Sequence, residues 1–371
     1  MSGRCGEALF FAALARSTGD PTFGDAARRC LRGLARELRP GPRDSPATAS
    51  GLPVASRQAP RVEDLRQLYL GVAGIGGLIY ALVRVGQWLE RPELIDSAAA
   101  LSDLWTERYL DACPEHDFMW GLAGLLSGLL PLADAGYSPA LEKADLCGQL
   151  LLGRRSLDRT SGWRAWVTTQ DTPSSGFAHG ASGIAHALLR LYGATAAKPY
   201  RDAALEAFAF ERSLRPVDSG RWPGWRHQLE SASRFTSWCQ GAPGIGLGRL
   251  TALPHLSADS ESDVVNDLRH ALRATAEGKS PDVDTICCGY FGRIDILLEA
   301  GERLGNVSLG RHARRLAELR LERAETEGFH KAVSPEPTPL LGGFWQGESG
   351  IGYVLLRLAD PGSLPCVLAL S

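Results

Sequence analysis

A short glycine phrase returns six or seven times along this chain, and a chain that repeats itself at such a period has few ways to fold. The copies read Gly71-Val-Ala-Gly74-Ile-Gly-Gly77, Gly121-Leu-Ala-Gly124, Phe177-Ala-His179-Gly180-Ala-Ser-Gly183, Trp238-Cys239-Gln240-Gly241-Ala-Pro-Gly244, Ile286-Cys287-Cys288-Gly289-Tyr-Phe-Gly292 and Phe344-Trp345-Gln346-Gly347-Glu-Ser-Gly350, with a degraded copy at Gly3-Arg4-Cys5-Gly6. Taking one glycine per copy as a register mark gives 6, 74, 124, 180, 241, 289 and 347. Intervals of about 50 to 70 residues suit two helices and their loops.

Each phrase leads into a run that is small and apolar nearly all round, such as 183–192 or 350–359, which marks helices buried on most sides. Between these runs lie amphipathic stretches, at Phe23–Leu38, Glu93–Asp111, Tyr200–Ser213, Asp263–Glu277 and Ser308–Glu327. Buried and half-buried helices alternating about seven times are packed most economically as an inner ring inside an outer ring. The expected fold is therefore all-α, an α/α toroid forming a single domain over residues 1–371, its first repeat shortened at the start. Strand patterning is confined to Trp163–Thr169, and the Pro- and Ser-rich stretch 39–60 reads as an exposed loop.

Composition narrows the function. A net charge of −2, with 44% apolar and 22% charged residues, is that of an ordinary globular protein. It offers no basic excess for nucleic acid. No apolar run approaches the roughly 20 residues of a membrane span, so membrane contact is not indicated. Eight cysteines, two of them adjacent, suit a thiol or metal inventory in a reducing cytoplasm better than a disulfide framework. A phosphate-cradling role for the glycines is disfavoured, because no strand precedes them and no Gly-Lys-Ser/Thr follows.

The positions just before the register mark carry the chemistry. They are neutral in some copies but become His179, Cys239, Cys287 and Cys288 in three successive ones. Three sulfurs from two repeats would make a three-ligand zinc site with one position open, against the alternative of buried cysteines serving as small apolar fillers. His179 can be a ligand, an acid/base group or a buried histidine, and His186, two turns on, is expected to pack. Asp117, four residues before Gly121, reads either as a helix N-terminal partner or as a catalytic carboxylate.

Taken together, these phrases and the ending Gln346-Gly-Glu-Ser-Gly-Ile-Gly-Tyr-Val-Leu-Leu-Arg-Leu resemble lanthionine synthetase C-like cyclases. The likeness is greatest to the C-terminal cyclase domain of class II lanthipeptide synthetases. The resemblance spans nearly the whole chain. It implies a toroid of about seven inner and seven outer helices with one zinc ion held by Cys239, Cys287 and Cys288. It further implies His179 as an acid/base group and Asp117 as its companion, with their assignment reversible. The implied reaction adds a cysteine thiol of a dehydrated precursor peptide to dehydroalanine or dehydrobutyrine, forming lanthionine or methyllanthionine. Addition of glutathione or another small thiol is an alternative, as is a zinc-containing peptide-binding scaffold without catalysis.

The chain departs from the family pattern in places. Gln240 stands where relatives often carry His or Tyr, Arg234 is the nearest candidate for an arginine seen close to the first cysteine, and the dehydratase domain of the class II synthetases would have to be a separate partner or missing. A Cys₃ donor set also leaves less positive charge on the ion than Cys₂His would. A more nucleophilic bound thiolate is expected.

Overall fold

The computed structural model describes residues 1, 3–37, 68–168, 171–215, 237–278, 282–330 and 343–371. The expected loop at 39–60 and Arg234 lie outside them. Among the described residues fourteen α-helices dominate: α1 Arg4–Thr18, α2 Pro21–Glu37, α3 Ile75–Trp88, α4 Pro92–Asp103, α5 Glu107–Asp111, α6 Leu122–Asp134, α7 Pro139–Gly153, α8 Ala181–Thr195, α9 Lys198–Ser213, α10 Ala242–Ala252, α11 Ala258–Glu277, α12 Tyr290–Arg303, α13 Val307–Glu327 and α14 Glu348–Ala359.

Seven of them, α1, α3, α6, α8, α10, α12 and α14, each pack on the next, and α14 returns to α1. The inner ring is closed. Its members are buried over much of their length, most completely in α6, where Leu122 through Leu132 is buried without a break. The partners α2, α4, α7, α9, α11 and α13 each lie against the inner helix that precedes them. Of α13's 21 residues only Ala313 and Ala317 are buried, as an outer-layer helix requires. Outer helices carry conventional start signals, with Pro92, Pro139 and Pro199 in first turns and Asn306 accepting from the Ser308 and Leu309 amides at 3.1 and 3.3 Å. After α14 the chain folds back into the ring, where residues 366–370 are buried.

The expected single stretch Glu93–Asp111 is broken, because Trp105 turns inward to burial and splits it into α4 and α5. The Trp163–Thr169 signal shrinks to Arg164–Ala165, paired antiparallel with Ser156–Leu157, plus one isolated bridge from Val167 to Pro173. No helix among the described residues is long and apolar enough to cross a membrane.

The register also sharpens. The residue opening each inner helix is Gly3, Gly74, Gly121, Gly180, Gly241, Gly289 or Gly347, so the marks taken at 6 and 124 fall three residues late. With that correction every copy has glycine at the cap and again three residues on. The second glycine is dictated by close approach: a Cβ on Gly183 would lie 1.9 Å from the Phe177 carbonyl oxygen, and one on Gly244 2.0 Å from that of Trp238. No side chain fits there. The approach folds the preceding residues into a tight turn over the helix start.

Candidate metal and acid/base site

Each turn presents three positions ahead of its cap. The third position back is Phe118, Phe177, Trp238, Ile286 or Phe344 in successive repeats, all buried. It points into the core, where Phe118 meets Phe177 at 4.9 Å and Trp238 stacks on Trp345 at 4.9 Å and 5°. The two positions nearest the cap face the mouth. Backbone hydrogen bonds tie these positions from repeat to repeat, from the Met119 amide to the Ala178 carbonyl (2.8 Å), Cys239 to Cys287 (3.3 Å) and Cys287 to Trp345 (3.1 Å). Residues remote in sequence are thereby fixed side by side.

The three cysteines converge. Cys239 Sγ lies 3.5 Å from Cys288 Sγ, which lies 3.3 Å from Cys287 Sγ, and all three sulfurs fall within 4.8 Å of one another. Sulfurs bound tetrahedrally at about 2.3 Å would sit roughly 3.8 Å apart, so the donor set fits a small soft-accepting cation with little movement. Hydrogen bonds from Cys287, Cys288 and Ser237 pull the Cys239 thiol well below its ordinary range despite burial. Cys287, hydrogen-bonded to Cys239 and Cys288 and buried, is pushed well above it. Such a cluster releases one proton readily and resists losing the others without a divalent charge to offset their repulsion. The Ser237 hydroxyl, 3.1 Å from Cys239 Sγ, supplies an outer-shell hydrogen bond.

The chain therefore can hold a metal here. The other five cysteines, all free, lie outside the cluster, and burial pushes Cys113 and Cys147 to about 12.

Beside the sulfurs stands a histidine–carboxylate pair. Asp117 is 2% exposed; its Oδ2 meets His179 Nδ1 at 3.1 Å and its Oδ1 accepts from the Trp120 amide at 2.6 Å. The cap of α6 is Gly121 with no side-chain cap, and the Asp117 carboxylate is divided between the histidine and the Trp120 amide in the turn ahead of the helix. A carboxylate at Nδ1 fixes that nitrogen as the donor.

His179 and Cys287 line one cavity of about 210 Å³ whose other walls include Ala73, Met119, Trp120, Phe344 and Trp345. Trp120 was not legible as a site residue until the register was corrected, which puts it in the slot of His179. Its ring centroid lies 4.2 Å from that of the imidazole, and the ring also stacks on Tyr69 at 5.5 Å. Ser237 and Trp345 were missed for a different reason, since neither residue type announces chemistry alone. Gln240 lies half-buried in the turn, its carbonyl accepting from the Ser237 amide at 2.9 Å.

His186 packs as expected. The Ala369 carbonyl can only accept, so Nε2 carries the proton at 2.9 Å and Nδ1 accepts from the Thr251 hydroxyl at 2.8 Å; burial drives its pKa down to about 3.

A closed double ring of helices carrying a thiol cluster and a histidine–carboxylate pair at one rim defines an α/α-toroid protein with a candidate metal site. The family described as lanthionine synthetase C-like protein matches residues 1–369, and the chain belongs to it. Among solved structures it is similar to "Nisin cyclase", with a TM-score of 0.70 and 17% identity over 100% of this chain and 90% of that one. Weaker likenesses, on which nothing is built, are a sugar epimerase from a ruminal bacterium (TM-score 0.46, 10% identity, 76% of this chain, 75% of that one) and an α-1,6-mannanase variant of Salegentibacter sp. (0.41, 12%, 75% and 79%). No curated protein sequence matches the chain.

Proposed function

We propose that the chain is a zinc-dependent lanthipeptide cyclase that closes thioether rings in a dehydrated precursor peptide. The observation carrying this reading is that three sulfurs cluster within 4.8 Å of one another and that one of their residues, Cys287, shares a small apolar cavity with an imidazole backed by a carboxylate. A zinc ion held by Cys239, Cys287 and Cys288 would supply the Lewis acidity that keeps an incoming cysteine thiol deprotonated at neutral pH, where a free thiol of pKa about 8.5 is mostly protonated.

In the reaction a peptide thiol loses its proton, its sulfur bonds to the β-carbon of dehydroalanine or dehydrobutyrine, and the α-carbon gains a proton. Atoms balance with nothing oxidised. In this reading His179 delivers the α-carbon proton from Nε2, while Asp117 holds its tautomer and offsets the positive charge it carries beforehand. The same pair can accept the thiol's proton at the start of the next turnover. Trp120, Phe344 and Trp345 hold the acceptor segment and keep bulk water from competing for the enolate.

The substrate must be dehydrated beforehand, so a dehydratase acts first, as a separate protein or domain. Eight free cysteines suit the reducing cytoplasm as its compartment. The test is a zinc-loaded reaction with a dehydrated peptide bearing one free cysteine. Loss of the thiol at unchanged mass supports ring closure; a mass increase with glutathione present indicates intermolecular addition; tight binding with no thiol loss indicates a scaffold and overturns the proposal.

A further inference from the structure

The turn carrying His179 is held from outside the inner ring by a carboxylate that touches no substrate cavity. Glu211, on α9, is fully buried. Its Oε1 accepts from the amides of Gly176 (2.8 Å) and Ser182 (3.1 Å), and its Oε2 accepts from the Ser182 hydroxyl (2.5 Å). These donors bracket His179, three residues before it and three after.

Glu211 is itself fixed. Arg249 of α10, fully buried, pairs with its Oε2 and donates also to the Ser182 hydroxyl at 2.6 Å and to the Phe208 carbonyl at 3.2 Å. The far side of that guanidinium faces Asp267 of α11 at 3.6 Å, and Asp267 in turn takes the Arg212 Nε at 3.1 and 3.2 Å. Two acids and two bases alternate through three helices. Their formal charges cancel, which is the condition for keeping such groups inside a protein.

We infer that Glu211, backed by Arg249, is a positioning residue for His179. The imidazole has to meet both the Asp117 carboxylate on the neighbouring repeat and the α-carbon of a bound acceptor. A turn hung only on its own helix could satisfy one and drift from the other. Clamping both flanks to an outer helix removes that freedom, and buried, short, charge-assisted hydrogen bonds are the stiffest contacts available for doing so.

This inference rests on His179 moving the proton, so its test reads the histidine separately from turnover. Full-length Glu211→Gln and Ser182→Ala would be compared with the parent by nitrogen-15 histidine-ring spectra, with the Nδ1–H resonance of His179 assigned through His179→Gln, and by kinetics on a dehydrated cysteine-containing peptide. Circular dichroism would verify folding, and Ser182→Ala, which keeps the Glu211–Arg249 pair, decides the matter if Glu211→Gln does not fold.

The expected result is a shifted or broadened Nδ1–H resonance with unchanged zinc content and KM. The expected kcat loss is about 10²-fold for Glu211→Gln, the scale of a misplacement near 1 Å, and about tenfold for Ser182→Ala, the scale of one hydrogen bond. Folded variants that melt lower but keep the parent resonance and kcat would overturn the inference. A parent that closes no ring while the resonance still moves in the variants would sink the proposed activity and leave the positioning role standing.

Discussion

The two ends of the inner ring bury polar groups in opposite ways. At the far end, Arg357 is 1% exposed and sits among carboxylates, pairing with Asp295, with Glu299 at 2.5 Å and with Glu302 at 3.3 Å, while its Nε donates to the Leu364 carbonyl at 3.1 Å. His186, deeper in the ring, is satisfied on both nitrogens by Thr251 and Ala369. At the mouth, three thiols crowd within 4.8 Å of one another, and the His179 imidazole, paired with Asp117 at 3.1 Å, lines the same cavity as Cys287. Burial that is paid off by local partners is structure, whereas burial that leaves a demand for outside charge or protons is a site.

If that contrast holds, mutations at the two ends should separate metal and turnover from stability. Removing a sulfur with Cys239→Ser or Cys287→Ser should abolish stoichiometric zinc by metal analysis and lower cyclisation by more than about 10²-fold, the loss already typical of outer-shell partners. A variant retaining both would break the distinction outright. His179→Ala, and to a similar degree Asp117→Asn, should slow ring closure by about 10² to 10⁴-fold while leaving the zinc content intact. Zinc loss in either would mean that the pair belongs to the metal's support.

At the other end, Arg357→Met leaves Asp295 without its counter-charge and Glu299 with Arg303 alone, and should lower unfolding free energy by about 3–5 kcal/mol in urea titrations, with zinc content and turnover kept at a permissive temperature. Altered turnover there would show the ends to be coupled.

Acid should act through the structural histidine. Because burial holds His186 down at about 3, below the usual 6.5, the unfolded chain binds the extra proton. Its contribution is present in full above about pH 6.5 and is lost as pH falls, by about 1.4 kcal/mol per unit. Urea midpoints between pH 7 and 5 should fall more steeply for the parent than for His186→Gln; parallel slopes would refute the assignment. The smallest effect concerns the donor set: Cys288→His, with zinc occupancy matched, should slow thiol addition by reducing thiolate charge at the ion, and an equal or faster rate would count against that argument.

How far the sequence could be read follows the same division. The glycine phrase exposed the repeat and hence the double ring, because glycine is forced wherever a carbonyl occupies the place of a Cβ, as at Gly183 and Gly244. The cysteines and His179 were legible because they replace neutral residues at equivalent slots. Glu211 and Asp284 were not. Asp284, fully buried, ties the turn before Cys287 to α13 through Arg320 and Arg323, both at 2.8 Å. In sequence it is one acid among 42 Asp and Glu residues, and nothing local distinguishes a buried clamp from a solvated charge.

From its residues alone the chain fixes a repeating all-α body and the types of group at its mouth, since periodicity and glycine are local properties. Only the closed ring decides which groups meet. Cys239 stands 49 residues from Cys288, and Asp117 62 from His179; their contact depends on α14 returning to α1 and on hydrogen bonds passed from turn to turn, a geometry that no short stretch of chain contains.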